Sequence, residues 1–405
     1  MVLQSVPHLF LQTRNLQGIK RGILKMGTFE KTPHMKTIFH LICIGYAVTA
    51  MAQNHGHSGA KPLSYPNIPG YTTLKTDLHI HTVFSDGNVW PNIRVMEALR
   101  ENLDAISLTE HLEYQPHQAD IPHPDRNRSY AIALQEAADH DLLIIHGSEI
   151  TRSAPMGHSN AVFIQDANPL VQQKAEMAFV EAQKQRAFVF WNHPAWYAQS
   201  PQGTPIMSDF QLNLIKKNQL HGIEVINSLD YAEESLALAL EHDLTIMGTS
   251  DIHGLIDWDY TEKGNHRPIT LVFAKEKSKE GLREALVAGR TVAAYNELLV
   301  GREAYLVPLI QNSIQITSVK YIEGTQVLEV VLENGSSSDL IFENAMTYSF
   351  YSKPSVFTVT AGSSETLRIK TLATLAQMTL ELRALGAYVA PRKHPVVSWD
   401  LRVGQ

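Results

Sequence analysis

The chain has 405 residues, 44% hydrophobic and 19% charged, with a formal charge of −7, as in an ordinary globular protein. That length suggests one large domain joined to a smaller one. No apolar run reaches the roughly 18 to 20 residues that a membrane span needs, and the acidic balance argues against a nucleic-acid-binding surface.

The N-terminus reads as a targeting segment. Met35-Lys36 opens a mostly apolar stretch, and Ala50-Met51-Ala52 fits a small-x-small cleavage site before Gln53. Residues 35–52 are therefore expected to be a signal peptide, and residues 1–34 an over-extended start. Export to the periplasm or outside the cell follows, with no membrane span in the mature chain. Residues 1–52 hold six Lys/Arg and one acidic residue, so 28 of 34 basic and 40 of 41 acidic residues remain, a charge of −12. The single cysteine, Cys43, lies in the apolar stretch; the mature chain would have no thiol catalysis, no Cys-ligated zinc and no disulfides. Residues 53–70, rich in Gly, Ser, His and Pro, read as a linker, with His55 and His57 as bystanders.

From Leu74 onward, short β-type runs alternate with amphipathic helical stretches. The predicted strands are Leu74–His79, Ala105–Thr109, Leu142–Gly147, Phe188–Trp191, Gly222–Asn227, Leu244–Gly248 and Pro268–Phe273. Helices are predicted over Asn92–Glu101, Tyr130–Asp139, Leu170–Arg186, Asp209–Asn218, Ala232–Glu241 and Lys279–Ala288. Alternation of this kind implies a parallel sheet with crossover helices, here a closed or nearly closed α/β barrel over 71–303. After about Glu303 the pattern becomes apolar/polar alternation broken by Gly, Ser and Asn turns. Residues 304–405 therefore read as a small antiparallel β-sandwich without substantial helix.

Metal-ligand residue types gather where the predicted barrel strands end, the place where α/β barrels build active sites. His79 and His81 are two apart on a strand, so both rings share a face and can chelate one cation. Asp86 follows in a Ser-Asp-Gly turn that can fold back toward them. His111 ends Leu108-Thr109-Glu110-His111. Glu149 lies just past an apolar strand, and its two oxygens can serve two cations. His158 stands in Gly157-His158-Ser159, and His193 in Asn192-His193-Pro194. Asp251 and His253, again two apart, close the set. His146 is read as structural. His117, His123, His140, His221, His242, His266 and His394 lack the strand-end context. Burying so many ionisable groups costs desolvation energy unless cations neutralise them.

The ordered set His-x-His with Asp-Gly, Thr-Glu-His, Gly-x-Glu, Gly-His-Ser, Asn-His-Pro and Ser-Asp-x-His resembles the polymerase and histidinol phosphatase (PHP) superfamily over roughly Tyr71 to Asn296. The resemblance implies a distorted (β/α)7 barrel holding two or three divalent cations, zinc, manganese or iron. It implies one cation on His79, His81, Glu149 and Asp251, a second on Asp86, His111 and His253, and a third on His158, His193 and a bridging Glu149. The implied reaction is hydrolysis of a small anionic phosphate ester by a metal-bridging hydroxide, with catalytic roles for Glu149, Asp251 and His193. Arg152 is the first candidate to hold the phosphate, followed by Arg126 and Arg128; Trp196 could wall an ester group. Exported chains that join this barrel to a β-domain resemble the Sb-PDE phosphodiesterases, which favours a diester over a sugar, nucleotide or histidinol monoester. A binuclear amidohydrolase also opens with His-x-His but usually places a bridging lysine on its fourth strand, and Phe188–Asn192 contains none. A non-catalytic metal-binding module is the remaining alternative. Oligomeric state is not readable from the sequence.

Overall fold

The structure, a computed structural model, describes residues 62–404. The expected signal peptide and the residues before it lie outside the described residues, as do His55 and His57. Residues 62–70 are packed: Leu63 and Ile68 are buried, Leu63 N donates to Glu101 O, and the hydroxyls of Tyr65 and Ser338 bond at 2.8 Å. Among the described residues no helix is long and apolar enough to cross a membrane.

In chain order the first region comprises β1 (Thr72–Ile80), α1 (Pro91–Arg100), β2 (Ala105–Leu108), α2 (Arg128–Glu136), β3 (Leu143–Ile150), β4 (Ser159–Val162), α3 (Ala175–Lys184), β5 (Phe188–Trp191), α4 (Asp209–Lys216) and β6 (Gly222–Asn227). It continues with β7 (Asp230–Tyr231), α5 (Glu233–Glu241), β8 (Thr245–Thr249), the one-turn α6 (Ile256–Asp259), β9 (Ile269–Ala274), α7 (Lys279–Val287), β10 (Thr291–Tyr295) and β11 (Leu298–Gly301). Its strands form one curled sheet. Strands β1, β2 and β3 are parallel, as are β5, β6 and β8, and β1 comes back to the end of β8. That last approach is a bridge between Ile80 and Ile252, with Asp251 N donating to His79 O at 2.9 Å.

The expected wholly parallel sheet is corrected in two places. Strand β4 pairs antiparallel with both β3 and β5, because the connection 151–158 is too short for a crossover helix and must turn back as a hairpin. Strand β9 runs antiparallel to β1, and β10 to β9. The strands read as near-continuous apolar runs because they are buried on both faces.

The second region opens with α8 (Glu303–Ser313) and continues with β12 (Ile314–Tyr321), β13 (Val327–Asn334), β14 (Leu340–Asn344), β15 (Val356–Val359), β16 (Ser364–Lys370), β17 (Gln377–Ala384), β18 (Ala387–Tyr388) and β19 (Val396–Arg402). Its two antiparallel sheets have the orders β12-β13-β16 and β15-β14-β17-β19. Val319, Leu328, Val330, Leu332, Leu367 and Ile369 of the first sheet share a core with Phe342, Val359, Leu380, Leu382, Val397 and Leu401 of the second. The expectation of no substantial helix after Glu303 is wrong. Helix α8 forms despite Pro308 because Leu306, Leu309, Ile310 and Ser313 bury one stripe at helical spacing. Tertiary burial outweighs the missing amide. Gln311 of this helix bonds β19 through Ser398 O and the Trp399 indole, and β18 adds in parallel to β11. The two regions thus share backbone pairing and one continuous apolar core.

Candidate metal centre

All nine residues singled out for coordination converge at one end of the curled sheet, for reasons legible strand by strand. His79 is the last but one residue of β1, and His81 N donates to Ile252 O, which holds the His-x-His backbone against the Asp251–His253 loop. The Ser-Asp-Gly turn folds back onto the same strand end, with Ser85 N and Gly87 N both donating to Thr82 O. Gly87 is required there, since a Cβ would lie 2.7 Å from the carbonyl carbon of His81. His111 and Glu149 are partners across a parallel bridge. Asn192 N donates to His158 O, which sets the His158 and His193 segments side by side. Two of the nine, His193 and Asp251, have positive φ values of 28° and 51°, a costly backbone conformation for residues with a Cβ that clusters at functional sites.

The donor atoms fall into overlapping groups. Asp251 Oδ1 lies 3.1 Å from both His79 Nε2 and His81 Nε2, and Glu149 Oε2 is 3.8 and 3.5 Å from the same nitrogens. Asp86 Oδ1 is 3.2 Å from His253 Nε2, and its Oδ2 is 3.4 Å from His111 Nε2. The other oxygen of Glu149, Oε1, is 2.8 Å from His158 Nδ1 and 3.7 Å from His193 Nε2. Four sets of three or more ligand atoms, each within 4.8 Å, cover all nine residues and draw on no other side chain. His81 also joins the Asp86 group, which the sequence did not anticipate.

These donors fit cations better than they fit each other. Asp86 Oδ1, Glu149 Oε2 and His158 Nδ1 are buried and make no properly directed hydrogen bond, although Glu149 Oε2 is only 2.6 Å from His111 Nδ1. Such atoms are costly to bury unless a positive charge satisfies them. Titration follows the same crowding. Burial raises the Glu149 pKa, but His111, His158 and His193 outweigh it and hold the carboxyl well below its usual range. Burial disfavours a charged His111, yet Glu149 and Asp86 push its pKa up to about 11. Burial and the neighbouring His111 and His253 bring His81 down to about 3.

A surrounding layer that the sequence reading missed orients these ligands. Glu224 of β6, fully buried, accepts from His79 Nδ1 at 2.7 Å, Thr249 Oγ1 at 2.6 Å, His193 N at 2.6 Å and Asn227 Nδ2 at 2.9 Å. The first of these bonds places the His79 proton on Nδ1 and leaves Nε2 free as a donor to metal. Its signal was a carboxylate inside the apolar run Gly222–Asn227. Glu110 anchors the turn through Thr82 and Ser85, each at 2.5 Å. Arg94 of α1, fully buried, donates to the carbonyls of His81, Ile252, His253 and Gly254 and to Glu97. It ties the first and last motifs together, and a basic residue in an amphipathic helix gives no sequence signal of that. Asp77 is held by Ser250 and Arg267, which also pairs with Glu101.

A cavity of about 260 Å³ opens over the cluster. Six of the nine residues line it, together with Pro194, Ala195, Trp196, Glu224, Val225, Asn227, Asp230 and Ala232. The Trp196 ring meets those of His158 and His193 at 5.6 and 5.2 Å between centroids. No Lys or Arg lines the cavity among the described residues, which corrects the expectation for Arg152. Its guanidinium pairs with Glu113 at 2.7 Å and donates to the carbonyls of Gln172 and Gln173, which hold it away from the cavity. Arg126 bonds His123 O, and Arg128 is exposed at the start of α2. His146 stacks on Tyr130 at 4.0 Å, away from the cluster.

Comparison with known proteins agrees with this geometry. Residues 314–400 match the DUF5001 family model, described as an Ig-like domain. A search of curated proteins finds no match. The crystal structure of a two-domain protein from Bacteroides vulgatus ATCC 8482, containing a predicted PHP-like metal-dependent phosphoesterase, is 41% identical. The match covers 84% of this chain and 99% of that one, with a TM-score of 0.79. PsfC from Pseudomonas syringae is 19% identical over 55% of this chain and 91% of its own, with a TM-score of 0.39. A lesion-specific endonuclease from Pyrococcus furiosus is 13% identical over 61% and 62%, with a TM-score of 0.35. Neither of these distant likenesses bears on function. The 41% relative does: this chain belongs to the PHP-like metal-dependent phosphoesterases.

Proposed function

We propose that the chain hydrolyses a small phosphodiester, using divalent cations held by His79, His81, Asp86, His111, Glu149, His158, His193, Asp251 and His253. The observation that carries this reading is the split of Glu149. Its Oε2 faces His79, His81 and His111, and its Oε1 faces His158 and His193, so one carboxylate serves two cation positions. Bound divalent cations such as zinc, manganese or iron would lower the pKa of a water and offset charge on phosphate oxygens. The chain's own residues hold and orient. Glu224 fixes the tautomer of His79, and the Gln199 side chain, with its Nε2 2.9 Å from His193 Nδ1, positions the His193 ring. Asn192 Nδ2 donates to Glu149 Oε1 at 3.0 Å and fixes the bridging carboxylate.

A diester is favoured over a monoester by the apolar part of the cavity lining. It consists of Pro194, Ala195, Trp196, Val225 and Ala232 and offers no guanidinium or ammonium to a phosphate dianion. A second ester group suits such a wall, in keeping with the resemblance to the Sb-PDE phosphodiesterases. Export after cleavage near Ala52 belongs to the same proposal and rests on the pattern of residues 35–52. The test compares hydrolysis of bis-p-nitrophenyl phosphate with that of p-nitrophenyl phosphate. Diester turnover exceeding monoester turnover, and abolished in His79→Ala and Asp251→Ala, is expected. Turnover of neither ester, or turnover untouched by both substitutions, would overturn the reading.

A further inference from the structure

The charge distribution of the cavity bears on which diester is hydrolysed, an inference that rests on the phosphodiesterase reading. Beside the candidate ligands the cavity is lined by Pro194, Ala195, Trp196, Val225, Asn227, Asp230 and Ala232. Trp196 is 40% exposed; it turns toward His158 and His193 and leaves part of its indole surface free. Asp230, the first residue of β7, is exposed and makes no ion pair or side-chain hydrogen bond among the described residues. It differs in this from the other carboxylates of the lining. Asp86 and Asp251 lie among the histidines, and Glu224 is saturated by four donors. The cavity thus joins a metal-ligand cluster suited to phosphate with an adjoining aromatic ring and one unpaired carboxylate.

We infer that the esterified alcohol of the substrate is a small alkylammonium alcohol, with its cationic end received by Trp196 and Asp230. Two forces favour such a group over others of its size. An indole surface attracts an ammonium or quaternary ammonium through the ring quadrupole, and a carboxylate without a partner attracts it by charge. An anionic substituent, such as a second phosphate or a carboxylate, would face Asp230 with no cationic side chain to offset the repulsion. A neutral alkyl group would gain the apolar contact alone. The volume of about 260 Å³ suits a phosphate with a short substituent rather than a nucleoside.

An isosteric pair tests this. p-Nitrophenyl phosphorylcholine and p-nitrophenyl 3,3-dimethylbutyl phosphate differ only in a quaternary nitrogen against a quaternary carbon. Both release p-nitrophenolate as a water oxygen bonds to phosphorus. The choline ester should show kcat/KM higher by about tenfold, mostly in KM, from the combined ring and carboxylate attraction. That ratio should fall toward one in Asp230→Asn and shrink in Trp196→Leu. Equal kcat/KM for the two esters in the unaltered protein would overturn the inference and leave the phosphodiesterase reading standing. Turnover of neither would overturn both. Phosphatidylcholine vesicles added as competitor separate the two sources of such an ester: unchanged turnover is expected for a free diester, and inhibition would assign the headgroup of a bilayer instead.

Discussion

The open end of the curled sheet and the interior of the C-terminal sandwich are both closely packed, yet they are built on opposite rules. In the sandwich each strand alternates, and the inward positions (Leu328, Val330 and Leu332 on β13, Leu380 and Leu382 on β17) are apolar and fully buried. At the sheet end the buried positions are Asp77, His79, His81, Glu110, Glu149 and Glu224. The first arrangement maximises transfer of apolar surface from water. The second holds charges where they are expensive, sustained by hydrogen bonds and, as we propose, by cations. The sandwich interior thus serves stability alone, whereas the sheet end sets costly charges beside an apolar core, and each can be probed for the quantity it controls.

Removing the cations should have the greatest consequence. Dialysis against a chelator should abolish hydrolysis, and added divalent metal should restore it; activity indifferent to chelation would erase the contrast between the regions. Next comes the sandwich core. Leu332→Ala should cost about 2–5 kcal/mol of unfolding free energy, read by denaturant titration, with metal content per folded chain unchanged. A loss of metal at full folding would show the regions to be coupled more tightly than their shared apolar core requires. Glu224→Gln should weaken metal binding by roughly 10–100-fold, because it removes the anionic partner of His79 Nδ1; an unchanged affinity would remove Glu224 from the site's support.

Metal affinity should also depend on pH. Without cations, burial opposes charge on His79 and His111, but Asp251, Glu224 and Glu149 outweigh it for His79, and Glu149 and Asp86 for His111. The His79 pKa is thus raised and that of His111 lies near 11, and a cation must compete with protons for these imidazoles. Affinity should therefore rise with pH through neutrality and fall on acidification. Calorimetry in buffers of different ionisation enthalpy would detect the released protons, and a pH-independent affinity would contradict the ordering. The least change is expected at the surface. Arg383→Ala, which breaks a 2.5 Å pair with Glu343 between exposed strand positions, should alter stability by no more than about 1 kcal/mol.

Legibility in the sequence divides along the same line. The nine candidate donors were readable because each stands at or next to the end of a predicted strand or in a short turn beside one, and period-two spacing puts His79 with His81 on one face. All seven predicted barrel strands are present, but the antiparallel turn into β4 was hidden, since Ser159–Val162 is short and carries no alternation to mark it. Helix α8 was hidden by Pro308, which local propensity counts heavily and tertiary burial overrides. Arg152 was misplaced because proximity in sequence to Glu149 does not fix which way a loop residue points. Arg94 was invisible for the converse reason: its partners are four backbone carbonyls, two strand ends away in the fold and unmarked by any residue type.

The metal centre as we propose it depends on one buried carboxylate, Glu149, bridging cations held by two sets of histidines. Metal content of the purified protein, measured beside that of Glu149→Gln, is the decisive comparison. The unaltered chain should carry roughly two to three divalent cations, as multi-metal phosphoesterase sites do, and Glu149→Gln should lose at least one while remaining folded by circular dichroism. Full metal content in Glu149→Gln, or none in the unaltered chain after purification and incubation with zinc, manganese or iron, would contradict the bridging role.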